Sequence, residues 1–341
     1  MISFENDYIA GAHPLVLNHL VETNLESLSG YGQDIYCENA KAKIKNACGR
    51  QDVEVELLTG GTQTNQVVIS TMLQDHEGVI AADTGHINVH EAGAIEYTGH
   101  KVLSLPHKEG KLQPEVLKKY LEGFYADETY THMVFPGMVY ISHPTEYGTL
   151  YTLKDLTQLS DICRAFRIPL YLDGARLAYG LMSRETDVTL PDIARLCDVF
   201  YIGGTKVGAL CGEAVVFTRQ NKPAHFITSV KKRGALLAKG RLTGVQFDAL
   251  FSNDLYFEIG RHAIRMAEKL KTVFHDKGIP FYLESPTNQQ FIILDNAQME
   301  RLRRQVCFSF WEKYDDKRTV VRFVTSWSTT EEDLQKLEDI L

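Results

Sequence analysis

Short, continuously apolar runs alternate with amphipathic segments over residues 53–217. The apolar runs predict strands at Val53–Leu58, Gly78–Ala82, Lys101–Leu105, Met138–Ser142, Pro169–Leu172, Val199–Ile202 and Glu213–Phe217. The amphipathic segments predict helices at Gln63–Gln74, Asn88–Tyr97, Pro114–Gly123, Leu153–Phe166 and Pro191–Cys197. Strands of this kind, separated by helices, are typical of an α/β fold whose parallel sheet is covered on both faces.

The two ends of the chain lack this alternation. Residues 1–35 are expected to be irregular apart from a helical stretch at Pro14–Glu22, and the next helix is predicted at Asn39–Ala47. Beyond Leu242 the pattern predicts one long helix and then a smaller α+β domain. The elements predicted there are helices Val245–Lys277, Gln298–Tyr314 and Thr330–Leu341 and strands Phe281–Glu284, Phe291–Asp295 and Val320–Val324. We therefore expect an N-terminal segment over 1–35, a large domain over 36–245, and a linking helix with a small domain over 246–341.

Five of the predicted strands are followed by residues that can bind a ligand or take part in catalysis. In an open α/β sheet, ligands bind outside the carboxyl ends of the strands. The turns at that edge hold Gly61–Thr62, His86, His143–Glu146, Asp173–Arg176 and Thr205–Lys206. We therefore expect these separated segments to meet in one crevice.

Lys206 follows an apolar strand and lies among small residues, in the run Gly203-Gly204-Thr205-Lys206-Val207-Gly208. A poorly solvated lysine loses its proton more easily, which makes a nucleophilic amine available. This is the property that a lysine needs to form a Schiff base. The alternative is a surface lysine in a turn.

Asp173 directly follows another apolar strand, so its carboxylate needs a partner. A protonated pyridine nitrogen is one suitable partner. A salt bridge to Arg176, three residues later, is the alternative.

Other residues extend this candidate site. Gly60-Gly61-Thr62 opens a predicted helix, where N–H groups and the helix dipole favour an anion, although an ordinary strand–helix turn has the same sequence. His86 can stack on a flat ring and transfer protons, with His90 and His100 as nearby competitors.

Two arginines complete it. Arg322 lies in an apolar strand and suits a carboxylate, unless the strand is an edge strand with Arg322 on its wet face. Arg241, in a flexible basic turn, can reach a phosphate, although exposed arginines are common in such turns.

Composition narrows the function classes. The formal net charge is −8, which disfavours nucleic acid and anionic membrane surfaces as partners. No apolar run is long enough to span a membrane, and the N-terminus does not resemble a signal peptide. The six cysteines show no paired spacing, so we expect reduced thiols, no metal site and a cytoplasmic protein. No GxGxxG or GxxxxGK[ST] motif is present, which argues against a nicotinamide-binding protein or an NTPase.

The chain resembles the threonine aldolase / beta-eliminating lyase family of fold-type I pyridoxal-phosphate enzymes almost end to end. The most specific matches are Leu172-Asp173-Gly174-Ala175-Arg176-Leu177 and Gly204-Thr205-Lys206-Val207-Gly208. Supporting matches are Thr59–Gln66, Asp83–Ile87, Glu91–Ala94 and Val321–Thr325. The resemblance implies the aspartate aminotransferase-type fold: a mostly parallel sheet flanked by helices, with a smaller C-terminal α+β domain.

The resemblance also implies roles for single residues. Lys206 would carry pyridoxal 5′-phosphate as a Schiff base, Asp173 would pair with the pyridine nitrogen, and His86 would stack on the ring. The residues implied to hold the phosphate are Gly61, Thr62, Thr205 and Arg241, with Arg241 coming from a neighbouring subunit. The residues implied to bind the substrate are Asn6, Tyr36, Arg176 and Arg322. Of these, Arg176 would also contact the cofactor, and Tyr36 would lie at the dimer-related mouth of the site. The family is generally homotetrameric.

The implied reaction is retro-aldol cleavage of L-threonine, L-allo-threonine or a related β-hydroxy-α-amino acid to glycine and an aldehyde. Alternatives are beta-elimination or transamination of another amino acid, and a catalytically silent binding protein of the same fold. Three segments depart from the family pattern. Glu5-Asn6-Asp7 replaces the usual Arg-Ser-Asp, Tyr36-Cys37 replaces the usual Tyr-Gly, and Ser142–Glu146 replaces the usual Glu-Asn-Thr-His. The last departure leaves open which group accepts the proton of the substrate hydroxyl.

Overall fold

The computed structural model describes residues 1–341 and contains 15 strands and 13 α-helices. The strands are β1 (Ile2–Ser3), β2 (Glu54–Leu58), β3 (Glu77–Ala82), β4 (Val102–Leu105), β5 (His107–Lys108), β6 (Lys111–Leu112), β7 (Phe135–Ser142), β8 (Leu170–Gly174), β9 (Val199–Gly203), β10 (Glu213–Phe217), β11 (Phe281–Leu283), β12 (Gln289–Asp295), β13 (Val306–Cys307), β14 (Ser309–Lys313) and β15 (Arg318–Val324).

The helices are α1 (Pro14–Thr23), α2 (Ile35–Ala47), α3 (Gly61–Met72), α4 (His86–Val89), α5 (Pro114–Ala126), α6 (Leu153–Phe166), α7 (Leu177–Leu181), α8 (Leu190–Leu196), α9 (Phe226–Lys232), α10 (Arg241–Leu250), α11 (Leu255–Asp276), α12 (Asn296–Leu302) and α13 (Glu331–Ile340). None of them combines the length and apolar character that crossing a bilayer requires.

The large sheet has seven strands in the order β2-β10-β9-β8-β7-β3-β4. Six of them run in one direction, and β10 runs against both of its neighbours, β2 and β9. The carboxyl ends of the six parallel strands therefore meet the amino end of β10 at one edge. Side chains alternate between the two faces of these strands, which separates a large apolar cluster on one face from a smaller one on the other.

A second, antiparallel sheet has the order β11-β12-β15-β14 and covers its own apolar cluster. Strand β15, which carries Arg322, is interior to this sheet, so the prediction's edge-strand alternative for Arg322 is wrong. The proposed division at 1–35, 36–245 and 246–341 stays a prediction.

The N-terminal segment connects the two sheets. The Phe4 N–H donates to the Cys307 carbonyl, and the Phe4 carbonyl accepts from the Val324 N–H, both at 2.8 Å. Nine residues later, the His13 N–H donates to the Gly208 carbonyl at 2.8 Å, in the turn that follows Lys206. Residues 5–12 therefore run from the small sheet to the carboxyl edge of the large one.

Two predicted helices are interrupted by residues with left-handed backbone. The helix predicted at Asn88–Tyr97 is wrong: α4 ends at Val89, and Ala92 and Gly93 have φ of 52° and 72°. The helix predicted at Val245–Lys277 is divided into α10 and α11, because Asn253 and Asp254 have φ of 50° and 63°. A continuous right-handed helix does not accommodate such residues.

Two further boundaries were set by contacts that periodicity does not reveal. The helix predicted at Gln298–Tyr314 ends at Leu302, because Ser309–Lys313 pairs with β15 as a strand. Helix α2 begins at Ile35 rather than at Asn39, since the Asp34 carboxylate accepts from the N–H groups of Tyr36 and Cys37 at 3.1 and 3.0 Å.

Helices α2 and α10 approach each other most closely at Gly244. A Cβ at this position would lie 2.7 Å from the backbone nitrogen and 2.9 Å from the Cα of Cys37. Gly123 of α5 is a matched contrast, since a Cβ there would meet nothing within 4 Å.

We expect Gly244→Ala to destabilise the fold by about 1–3 kcal/mol, because the two helix backbones must separate. Gly123→Ala should be neutral or stabilise by about 0.5–1 kcal/mol, since alanine favours an exposed helix. Chemical denaturation of both variants checks this. Equal stabilities would contradict the close helix contact.

Candidate active site

A cavity of about 830 Å³ opens at the carboxyl edge of the large sheet, beside the small sheet. Nine of the residues predicted for the site line it: Asn6, Gly61, Thr62, His86, Asp173, Arg176, Thr205, Lys206 and Arg322. Turns after β2, β3, β7, β8 and β9 contribute to its wall, as the convergence argument predicts. Tyr36 and Arg241 do not line it.

Lys206 lies in a turn that backbone bonds hold tightly. The Gly204 carbonyl accepts from the N–H groups of Val207 and Ala209, at 2.8 and 3.0 Å. Gly203 has to be glycine, because a Cβ would lie 2.7 Å from the carbonyl carbon of Ala175, the residue that follows the neighbouring strand β8. Burial, reinforced by the Arg176 guanidinium, lowers the pKa of Lys206 to about 8. About a tenth of this amine is therefore uncharged at pH 7.

Asp173, near the carboxyl end of β8, accepts three hydrogen bonds. Its Oδ2 accepts from the Tyr140 hydroxyl at 2.6 Å and from Asn65 Nδ2 at 3.2 Å, and its Oδ1 accepts from the Ala175 N–H at 3.0 Å. The alternative salt bridge to Arg176 does not form.

Arg176 instead pairs with Asp7, which has no exposed side-chain surface. Its Nε and Nη2 donate to the two oxygens of Asp7 at 2.7 and 3.1 Å, and Asn288 Nδ2 donates to Asp7 at 2.9 Å. Burial opposes ionisation of Asp7, but Arg176, with Lys206 and Asn288, outweighs it and lowers the Asp7 pKa. Asp7 is a residue that sequence reasoning noted only as part of a departure from the family pattern.

His86 begins α4, and its side chain is one-third exposed. Its Nδ1 lies 2.7 Å from Oε1 of Glu91, whose side chain is fully buried. Asn65 Nδ2 donates to the same oxygen at 2.7 Å and also to Asp173. One amide therefore connects Glu91, the partner of His86, with Asp173. The carboxylate of Glu91 favours the tautomer that carries its proton on Nδ1, which leaves Nε2 as an acceptor.

The two competing histidines lie in different surroundings. His90 also lines the cavity, and its ring centroid is 5.7 Å from that of His86. His100 lies outside the cavity and contacts the Glu77 carbonyl at 2.9 Å. His86 is therefore the histidine with both a cavity position and a carboxylate partner.

Arg322 is the arginine of the cavity that has no acidic partner, whereas Arg176 is paired with Asp7. Its Nη2 donates to Asn6 Oδ1 at 2.6 Å and its Nη1 to Gln289 Oε1 at 3.1 Å, both neutral amides. Its Nε is buried without a hydrogen-bond partner. Burial and the nearby Arg176 charge lower the pKa of Arg322 to about 10. A small carboxylate entering the cavity would supply the missing negative charge.

The N-terminus of α3 provides unsatisfied donors on the opposite wall. Its cap residue, Gly60, has no side chain to accept from the first turn. Gly61, Thr62 and Thr205 line the cavity at this point. The start of a twelve-residue helix with free N–H groups suits an anion.

The segment Ser142–Glu146, which departs from the family pattern, places one residue in the core and another at the cavity. His143 is fully buried outside the cavity, and burial lowers its pKa to about 4. Glu146 lines the cavity, where its Oε1 accepts from the His86 N–H at 3.0 Å and from the Ser142 hydroxyl at 2.6 Å. Burial raises the pKa of Glu146. Sequence reasoning left both residues without a role.

Tyr36 and Arg241 lie together on another part of the chain. The Tyr36 hydroxyl donates to the Glu26 carboxylate at 2.9 Å, and Arg241 donates to the carbonyls of Glu26 and Thr23. Within one chain neither residue reaches the cavity, so the roles implied for them require a second copy.

Comparison with known proteins agrees with this arrangement. The structure of a Leishmania major threonine aldolase is 41% identical in sequence and superposes with a TM-score of 0.96, covering 100% of this chain and 98% of that one. The low specificity L-threonine aldolase of Pseudomonas aeruginosa is 26% identical over 98% of this chain and 95% of its own length. An aspartate aminotransferase of Thermus thermophilus is 14% identical with a TM-score of 0.71 and covers 100% of this chain and 92% of that one.

The last of these likenesses concerns the fold alone, and it confirms the predicted aspartate aminotransferase-type architecture. The family model described as "Beta-eliminating lyase" matches residues 7–298. This match spans the Asp173 and Lys206 motifs on which the predicted resemblance depends. The chain belongs to the beta-eliminating lyase family.

Proposed function

We propose that this protein is a pyridoxal-phosphate-dependent aldehyde-lyase that cleaves L-threonine, L-allo-threonine and related β-hydroxy-α-amino acids to glycine and an aldehyde. The observation that carries the proposal is one cavity lined by Lys206, Asp173 and an arginine without an acidic partner, Arg322. The relatives that are described as threonine aldolases favour this substrate class over other amino acids.

The residues present fit pyridoxal phosphate. Its phosphate suits the free N–H groups of α3 with Thr62 and Thr205, and its aldehyde suits the weakly basic amine of Lys206. Its pyridine nitrogen suits the carboxyl group of Asp173, which hydrogen bonds hold in place near the carboxyl end of β8. When bound, the cofactor supplies an electron sink for the α-carbon of an amino acid.

The side chains of this protein orient the substrate. Arg322 binds the α-carboxylate, and Asn6 holds the Arg322 guanidinium in place at 2.6 Å. A carboxylate fixed at this point determines which bond of the α-carbon stands perpendicular to the flat ring. Arg176, already paired with Asp7, supports the same wall of the cavity.

His86 accepts the proton of the β-hydroxyl. The 2.7 Å contact with Glu91 keeps a proton on Nδ1, so Nε2 is the available base. The Glu146 carboxyl group accepts a hydrogen bond from the backbone N–H of His86 and thereby fixes the start of α4. The contacts of His86 with Glu91 and Glu146 support its assignment as the proton acceptor.

A second copy of the chain completes the site. Tyr36 and Arg241 form one cluster with Glu26 outside their own cavity. In a symmetric dimer, such a cluster on one chain can face the cavity of the other. We infer that Arg241 of one subunit binds the phosphate in its neighbour, and that the assembly is a dimer or a tetramer built from such dimers.

Replacing Lys206 with alanine tests the cofactor assignment. We expect Lys206→Ala to lose the visible absorbance of covalently held cofactor and at least about a thousandfold of glycine formation from threonine, because the attaching amine is gone. Lys232→Ala, which changes an exposed lysine of α9, is the matched control and should behave as wild type.

The products distinguish the reaction classes. Glycine with an aldehyde is expected, whereas a keto acid with ammonia indicates elimination and a keto acid with a new amine indicates transamination. Survival of both absorbance and glycine formation in Lys206→Ala would refute the assignment.

Replacing Arg322 tests carboxylate binding. Arg322→Gln should lower kcat/KM for threonine by about a hundredfold, or about 3 kcal/mol, while retaining the cofactor, because the buried charge that meets the carboxylate is lost. Arg318→Gln removes an exposed arginine of the same strand and is the control. Steady-state kinetics and cofactor absorbance measure the two effects. An unchanged kcat/KM in Arg322→Gln would move the carboxylate site elsewhere.

Mixed assemblies test the shared site. We expect Lys206→Ala and Arg241→Ala chains to be weakly active alone and to recover activity when co-expressed. In a hybrid dimer one site combines the intact Lys206 and Arg241, so random pairing should restore about a quarter of wild-type activity. Activity equal to the sum of the parents would show that each site is built from one chain.

A further inference from the structure

Glu213 is a buried carboxyl group beside the proposed phosphate position. It is the first residue of β10, and it pairs with Leu58 on one side and Gly203 on the other. These are the last residues of β2 and β9, before the turns that carry Gly61–Thr62 and Thr205–Lys206. Its side chain lines the same cavity. A carboxylate here would repel a phosphate dianion.

The hydrogen bonds of Thr205 make this repulsion depend on one proton. Thr205 Oγ1 accepts from the Gly212 N–H at 3.1 Å and lies 2.8 Å from Glu213 Oε1. The other oxygen of Glu213 accepts from the Gly204 N–H at 3.2 Å. A hydroxyl has one hydrogen to donate and two lone pairs.

The two protonation states of Glu213 therefore turn Thr205 in opposite directions. When Glu213 is ionised, the Thr205 hydroxyl donates to it and presents a lone pair to the cavity. When Glu213 is neutral, its own O–H donates to Thr205, and the Thr205 hydrogen is free to donate into the cavity. One proton thus removes a negative charge and adds a donor.

We propose that Glu213 binds a proton when a phosphate group occupies this end of the cavity, and that it directs the Thr205 hydroxyl to the phosphate. Glu213 is a positioning residue that acts through Thr205. The inference rests on the proposed function, which places the phosphate at Thr205.

The surroundings of Glu213 allow the neutral form. Burial raises its pKa to about 8, and among its charged neighbours Lys206 opposes the rise while Asp173 adds to it. Helix α3 carries no charged residue. On α10, Arg241 and Asp248 bond to other partners. The nearby phenols of Tyr171, Tyr201 and Tyr256 have pKa values that burial raises above the working range.

Binding of pyridoxine 5′-phosphate to the full chain freed of cofactor tests the inference. This probe has the phosphate but no aldehyde, so the titration of Lys206 as a nucleophile does not enter. Glu213→Gln is the variant, because its amide N–H₂ donates permanently to Thr205 while its carbonyl accepts from Gly204. Calorimetric titrations at pH 7 and pH 9 give Kd for both proteins, and pyridoxine without phosphate is the control ligand.

The ratio of wild-type Kd to Glu213→Gln Kd should rise about tenfold between pH 7 and pH 9, since the neutral fraction of Glu213 falls about tenfold over that interval. The phosphate is already a dianion at pH 7, so its own titration contributes little. With pyridoxine the ratio should change less than twofold. A ratio that stays constant for pyridoxine 5′-phosphate overturns the inference.

Variants of Thr205 keep the test independent of how well Glu213→Gln folds. Thr205→Ser retains the hydroxyl and should retain the full loss of affinity toward pH 9 that Glu213 causes, whereas Thr205→Val should retain only the part that direct repulsion by the Glu213 carboxylate causes. Equal pH dependence in the two variants contradicts the role of Thr205. If wild type binds pyridoxine but gains nothing from the phosphate at either pH, the proposed function itself fails.

Discussion

This structure depends on one constraint: carboxylates and cations are removed from bulk water together, at the carboxyl ends of the parallel strands. Asp173 and Glu213 line one cavity together with Lys206, Arg176 and Arg322, and the buried Asp7, outside the cavity, pairs with Arg176. A buried charge costs several kcal/mol unless it is paired or hydrogen-bonded. The surrounding elements are arranged accordingly: tyrosine, asparagine and backbone N–H groups satisfy Asp173, and Asp7 neutralises Arg176. Arg322 is the arginine for which the chain provides only neutral partners, and under the proposed function a substrate carboxylate would supply the missing negative charge.

Strand β10 shows how topology changes the chemistry of an edge. Were it parallel to its neighbours, Glu213 would lie at the far end of the sheet, away from Lys206. Its reversed direction brings the first residue of one strand level with the last residues of two others. A carboxyl group is thereby placed between the turn that would hold phosphate and the turn that holds the lysine.

Much of this site follows from the sequence because it depends on strand ends. Apolar runs that end in Asp173 or Lys206 are recognisable without tertiary information, and both residues lie in the cavity as predicted. The partners were not predictable in this way. Asn65 and Glu91 look like ordinary helix and loop residues. The packing of α3 against the sheet brings Asn65 to Asp173, and the turn after α4 brings Glu91 to His86.

The missed helix boundaries have the same origin. Apolar spacing over Gln298–Tyr314 fits a helix, but an unpaired edge of β15 was available to Ser309–Lys313, and strand pairing prevailed. The direction of β10 was similarly hidden, because an apolar run of five residues does not reveal which way it pairs. Local pattern therefore predicts where an element lies better than what it pairs with.

The N-terminal segment gives the two sheets a common reference. Asn6 contacts Arg322 of the small sheet, and the next residue, Asp7, contacts Arg176 of the large one. Backbone bonds secure the segment on both sides, at Val324 and at Gly208. Two adjacent residues therefore link the position of Arg322 to that of Arg176 in the wall of the same cavity. Since retro-aldol cleavage depends on the angle between the breaking bond and a flat ring, this short segment has more influence on the reaction than its irregular sequence suggests.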